Sequence, residues 1–206
     1  MAAPITHIIL ADKLFGRYFQ EKDKNKFYVG TSFPDIRYMG IIDREKTHFN
    51  NLTLEILQSM SSFEAGLKLH SLVDKVREEF MRLKGVYSLV PKSLFVTQSL
   101  KFFEDKILYG KRSNWDEITS FFKEATKGEL SFGLNAVDIG KWHQFLQIYF
   151  TTGPNDQNIR TFVATIGKPN EMAVEIIRLT KSMEENAQLR NIVEDFYENF
   201  EELVRT

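Results

Sequence analysis

The segment SSFEAGLKLHSLVDKVREEFMRLKG, residues 61–85, reads as a helix from end to end. Ser61 stands three residues before Glu64, the spacing of a reciprocal capping box, and Gly85 closes the run as a C-terminal stop. Between them Leu69, Val73, Val76 and Phe80 form one apolar stripe at helical spacing. His70 and Asp74 lie one turn apart on the same face, beside that stripe rather than opposite it. A helix that turns an imidazole and a carboxylate toward the core together can grip one cation, because a metal favours a neutral imidazole and an ionised carboxylate.

Helical spacing continues on both sides. In THIILADKLFGRYF, Ile8, Ala11, Leu14, Phe15 and Tyr18 recur at three and four residues, with Thr6 read as the N-cap. Beyond Pro91, SLFVTQSLKFFEDKILYG is closed by Gly110, and SNWDEITSFFKEATKG is opened by Ser113 with Asp116 and closed by Gly128. NAVDIGKWHQFLQIYFTTGP and NDQNIRTFVATIG follow, and the tail from Pro169 divides into two helices at the Ser182 and Glu185 pair. No period-two strand series, repeat or low-complexity tract interrupts the pattern. The expectation is a single all-α domain over residues 1–206 with about eight or nine helices. Its first part, 1–85, carries the candidate metal residues, and 86–206 is the helical remainder. Residues 20–52 read as a long connection, and long connections inside compact domains are more often functional than short ones.

Composition limits the chemistry. A chain of 206 residues supports one well-buried core. With 27 basic and 28 acidic residues and a formal net charge of −1, nothing in the overall electrostatics attracts nucleic acid or an anionic membrane surface. The absence of cysteine removes disulfides, thiolate metal sites and cysteine nucleophiles, so a metal must be held by imidazole and carboxylate. No apolar run reaches the length of a spanning helix, and MAAPITHIILADKLF lacks the pattern of a secretory signal, so a soluble cytoplasmic protein is expected. No phosphate-binding P-loop, dinucleotide fingerprint or serine-hydrolase elbow is present.

Three of the four histidines, His7, His48 and His70, fall in the first 70 residues; the fourth is His143. His7 faces the core side of the first helix with Ala11 and Leu14. Asp35 follows Pro34 early in the long connection and His48 closes it, thirteen residues on. Each has a plain structural reading. Asp74 can pair with Lys75 or Arg77 at the surface, Asp35 can initiate a turn, and His7 can be a satisfied core histidine. Arg37, Arg44 and Lys46 can be solvated loop charges, or charge-assisted contacts to phosphate oxygens.

Taken together, His7, GTSFPDIRY with Asp35, Thr47-His48, and GLKLHSLVD with His70 and Asp74 resemble the zinc-dependent phospholipase C and single-strand nuclease superfamily over roughly residues 5–80. Those enzymes are all-α. The resemblance implies one metal held by Asp35, His48, His70 and Asp74, and a second bound by His7 with Asp74 shared as a bridge. It further implies a metal-dependent hydrolase acting on a small-molecule or lipid-type phosphoester, with Asp35 and Asp74 as catalytic carboxylates and Arg37, Arg44 and Lys46 toward the substrate. Zinc is the expected metal, with manganese or iron also suited to such ligands. The sequence departs from the family where a further histidine should follow the His70 helix, since Phe80 and its surroundings hold none. It departs again where a later histidine should precede a carboxylate by four residues, since His143 is followed by Gln147. A third metal is therefore not expected, nor is ligation by the amino group of Met1.

Two other readings stand beside this one. An HD-type phosphohydrolase is also all-α, but His48 is followed by Phe49 instead of aspartate. A non-catalytic helical interaction module, or a degenerate relative of the metal hydrolases, accommodates the 18 phenylalanines. In the tail, Leu189, Ile192, Val193, Phe196 and Phe200 give an amphipathic helix suited to the core or to a homodimer contact.

Overall fold

The computed structural model describes residues 3–205. Among them are twelve α-helices and no strand. The helices are α1 (Pro4–Tyr18), α2 (Lys24–Ser32), α3 (Leu54–Gln58), α4 (Ser62–Leu83), α5 (Val86–Leu89), α6 (Val96–Leu108) and α7 (Trp115–Ser120). They continue with α8 (Lys127–Leu130), α9 (Ala136–Thr152), α10 (Asp156–Thr165), α11 (Asn170–Glu184) and α12 (Ala187–Leu203). Three short 3-10 turns, Phe33–Met39, Arg44–Lys46 and Tyr109–Lys111, complete the regular structure. All pack round one contiguous apolar core.

The expected eight or nine helices become twelve for two reasons. α3, α5 and α8 are only four or five residues long, too short for periodicity to register. The segment expected to be a long connection also folds: it holds α2, whose first turn is capped by the Asp23 carboxylate accepting from the Lys26 amide. α2 has no clear apolar stripe because one of its faces is a glycine contact. A Cβ on Gly30 would run into the backbone carbonyl of Phe63, and a Cβ on Gly66 into that of Phe27. The two helix backbones therefore touch, and this close crossing sets where Asp35, just beyond α2, lies relative to His70 and Asp74 on α4.

Other helix starts move as well. Thr6 is not the cap of α1, which begins at Pro4 with Ala3 before it and no side-chain cap of its own. The acceptor comes from α6 instead. Asp105 takes the Ile5 amide at 3.2 Å, the Thr6 amide at 2.7 Å, the Thr6 hydroxyl at 2.7 Å and the Tyr149 hydroxyl at 2.8 Å. A carboxylate at a helix N-terminus meets both the free amides and the positive end of the dipole, so Asp105 fixes the turn that carries His7. Asn114 caps α7 in place of Ser113, and Asn186 caps α12 in place of Ser182. The capping box at Ser61 and Glu64 forms as expected.

The tail is not left available as a homodimer contact through its apolar stripe. Leu189, Ile192, Val193, Phe196 and Phe200 are all buried in the chain's own core, where α12 meets α1, α4, α6 and α11. Burying five such side chains contributes on the order of 10 kcal/mol before ordering costs. No helix among the described residues is long and apolar enough to cross a membrane.

Candidate metal centre

His7 on α1, Asp35 in the 3-10 turn after α2, His48 just past the second 3-10 turn, and His70 and Asp74 on α4 meet at one point. The His7, Asp35, His70 and Asp74 side chains are at least 94% buried, as is the His48 ring. Asp74 therefore does not pair with Lys75 or Arg77 at the surface. Arg77 is itself interior and forks onto Glu104 of α6.

Asp74 is the hub. Its Oδ1 lies 3.4 Å from His7 Nε2, and its Oδ2 lies 3.5 Å from His48 Nε2 and 3.8 Å from His70 Nε2. Asp35 Oδ1 stands 3.9 Å from His70 Nε2. The His7 and His70 rings stack at 3.7 Å, and His48 meets His70 edge-on at 5.1 Å. Nitrogen and oxygen ligands held at about 2.0–2.2 Å round a tetrahedral zinc stand roughly 3.3–3.6 Å apart. The two shorter approaches to Asp74 have that spacing and the His70 approaches are a few tenths wider. Ligand atoms of His7, His70 and Asp74 all lie within 4.8 Å of one another, a compact group able to hold a metal ion.

Tautomers say more than distances. His70 Nδ1 is 2.9 Å from the Thr31 carbonyl, which only accepts, so Nδ1 carries the proton and Nε2 of the neutral ring presents its lone pair to the two carboxylates. Thr47 holds His48 in a similar way: its hydroxyl donates to the Arg44 carbonyl and lies 3.0 Å from His48 Nδ1, which leaves Nε2 aimed at Asp74. His7 Nδ1 and Nε2, His48 Nε2, His70 Nε2 and Asp35 Oδ1 find no hydrogen-bond partner among the described residues. The His70 lone pair facing carboxylate oxygens in a buried space is repelled by them, and a cation between them reverses the sign. The donor set of imidazole nitrogens and carboxylate oxygens fits zinc, manganese or iron.

The electrostatics are those of a site prepared for a cation. Burial, reinforced by the neighbouring His7 ring, pushes the His70 imidazole down to about 3 against the pull of Asp35 and Asp74. Burial also works to raise the Asp74 carboxyl, but the His48 and His7 rings at its oxygens hold it well below its ordinary value. At Asp35 burial is overcome chiefly by the Lys101 ammonium, then by His70, His7 and Arg37, and the carboxyl again ends below its usual value. Both carboxylates are thus ionised and His70 neutral at neutral pH, the protonation states a metal needs.

A pH dependence follows for the metal-free protein. A histidine with a depressed folded value contributes nothing above its unfolded value of about 6.5 and loses stability below it, at up to about 1.4 kcal/mol per pH unit. The lowered carboxyls of Asp35 and Asp74 add a further loss below about 3.9. Burial of Asp105, which raises its carboxyl to about 7, works in the opposite direction over the same window, so the expected result is a difference: in urea unfolding of chelator-treated protein, His70→Gln gains stability relative to wild type as pH falls from 6.5 to 4. Identical slopes for the two proteins would contradict this reading.

Among the residues expected at the substrate, Arg44 lines an open cleft of about 540 Å³ that reaches His48 and Asp74, together with Ser71, Glu78 and Tyr87. Arg37 lies 4.0 Å from Asp35 and over the Tyr38 ring, to whose hydroxyl it donates at 3.0 Å. Lys46 is exposed and does not line that cleft. His143 finds its carboxylate in Glu129, at 2.7 Å, and Gln147 is spent on the Phe122 carbonyl. That pair lines a different surface cleft from the one over His48 and Asp74. Met1 lies outside the described residues.

Lys101 is the residue that sequence reasoning misses. It is buried on α6, donates to the Tyr38 hydroxyl at 2.8 Å, and is held charged against burial by Tyr38 and by Asp35 and Asp74. Nothing local marks it: α6 reads as an ordinary amphipathic helix, and Lys101 is buried because other helices cover its polar side.

No protein family, curated protein or solved structure matches the chain.

Proposed function

We propose that the chain is a metal-dependent hydrolase, a phosphoesterase with a one- or two-metal centre, and a divergent relative of the zinc-dependent phospholipase C and single-strand nuclease superfamily. The observation that carries this reading is the lone pair of His70 Nε2, fixed by the Thr31 carbonyl and facing the Asp35 and Asp74 carboxylates with no proton between them. A bound divalent cation supplies Lewis-acid activation of water and neutralises charge on a phosphoryl group.

The chain's own residues do the rest. Asp74 offers one oxygen on the His7 side and the other on the side of His48 and His70, so a single carboxylate serves both halves of the centre. Asp35 closes the opposite side. Arg44 stands in the cleft from which a substrate reaches His48 and Asp74, where a guanidinium favours a phosphate oxygen. The favoured substrate class is a small-molecule or lipid-type phosphoester.

The test is hydrolysis of p-nitrophenyl phosphate and bis-p-nitrophenyl phosphate by protein loaded with zinc, manganese or iron. Turnover of at least one substrate is expected, lost on chelation, restored by metal and abolished in Asp35→Ala. A folded, metal-loaded protein without turnover on either would contradict the enzyme reading and favour a degenerate, non-catalytic site.

A further inference from the structure

Beside the metal centre, on its Asp35 side, a narrow slot runs between the 3-10 turn Phe33–Met39, α6 and α9. Asp35, Tyr38, Lys101, Phe102, Trp142 and Phe145 line it. Two of these carry hydrogen-bond donors with nothing to meet. The Lys101 ammonium has three N–H groups, and among the described residues only the Tyr38 hydroxyl accepts from it. The Trp142 indole is 1% exposed and its Nε1–H has no acceptor among the described residues. Buried donors are nearly always satisfied, and a buried ammonium more than any other group seeks an anionic oxygen.

Two cations also converge here. The Tyr38 hydroxyl accepts from both Lys101 and Arg37, and both cations lie over its ring, at 5.0 Å and 4.2 Å. The Asp35 and Asp74 carboxylates of the metal centre act on Lys101, and a cation bound between them draws on the same charge.

We propose that this slot is an oxyanion pocket, in which Lys101 and Trp142 bind an oxygen of a tetrahedral phosphoryl group held against the metal centre. It rests on the metal-hydrolase reading and assigns the phosphoryl group a second set of donors, distinct from Arg44 in the open cleft. Lys101 supplies charge, Trp142 supplies direction through one fixed N–H, and the apolar walls of Phe102 and Phe145 keep competing water out.

Calorimetric titration of inorganic phosphate into zinc-loaded wild type, Lys101→Met, Lys101→Arg and Trp142→Phe tests it, with zinc content read on the same samples. Wild type is expected to bind phosphate, Lys101→Met to bind at least tenfold more weakly when compared at matched zinc occupancy, since Lys101 also helps keep Asp35 ionised, and Trp142→Phe three- to tenfold more weakly. Lys101→Arg should recover part of the loss. Equal phosphate affinity in wild type, Lys101→Met and Trp142→Phe at full zinc content overturns the pocket and leaves the metal reading standing. If Lys101→Met does not fold, Trp142→Phe decides, since it removes one N–H and keeps an aromatic ring: unchanged affinity there overturns the proposal. A wild type that takes up neither zinc nor phosphate overturns both.

Discussion

Asp74→Asn is expected to weaken binding of a divalent metal by more than about 100-fold, since altering even the outer partners of metal ligands typically costs about 10–100-fold. Asparagine keeps the shape of the side chain, so the change is chemical. Asp74 has a carboxylate oxygen within 4 Å of the Nε2 atom of each of the three histidines of the cluster, at 3.4, 3.5 and 3.8 Å. An amide in its place removes the negative charge and presents an NH₂ group where one of two acceptor oxygens stood. Competition against a zinc-chelating dye gives the affinity, and circular dichroism checks that the helices persist. The same substitution at Asp138, a half-buried residue of α9 that pairs with Lys141, should leave the affinity unchanged. A folded Asp74→Asn that binds zinc as tightly as wild type would mean that the cluster is held by something other than a cation.

Glu104→Ala should cost about 3–5 kcal/mol of folding stability, the usual penalty for stranding one charge of a buried pair. Arg77 and Glu104 are both fully interior, and Arg77 Nε donates to Glu104 Oε2 at 3.1 Å while its second nitrogen grips Oε1. This fork ties α4, the helix of His70 and Asp74, to α6, the helix of Lys101 and Asp105. Glu78 and Tyr87 also meet Arg77, at 3.2 Å and 3.3 Å, but both sit nearer solvent and neither replaces the two-point contact. At about 2–4 °C per kcal/mol for a chain of this size, the melting temperature should fall by roughly 6–20 °C. The paired change Arg77→Met with Glu104→Leu should recover most of the loss, because removing both charges leaves nothing stranded. A double variant as unstable as the single would show that packing, and not the unpaired charge, is responsible.

How far the sequence carries depends on whether a feature is local. The capping box at Ser61 and the stripe through Phe80 lie within one helix, so α4 was legible, and with it the pairing of His70 and Asp74. Gathering His7, Asp35 and His48 to that helix was suggested by motif order, yet the means were not visible. The crossing at Gly30 and Gly66 joins two segments 36 residues apart, and a glycine in each looks like a helix breaker until the partner backbone is seen. The start of α1 was misplaced because its cap, Asp105, comes from 100 residues away, and Thr6 looked sufficient. Lys101 and Glu104 drew no reading, because single-helix periodicity does not count how many neighbours a helix has. α6 packs against α1, α11 and α12, which leaves it almost no outer face.

The most direct test of the central claim is the metal content of the purified protein. Wild type prepared without chelator, beside His70→Ala and Asp35→Ala, is to be assayed for zinc, manganese and iron by plasma mass spectrometry. The predicted result is one to two equivalents of a transition metal in wild type and a substoichiometric amount in both variants, with all three proteins folded. Wild type free of transition metal, and indistinguishable in stability from both variants after incubation with excess zinc, would contradict it.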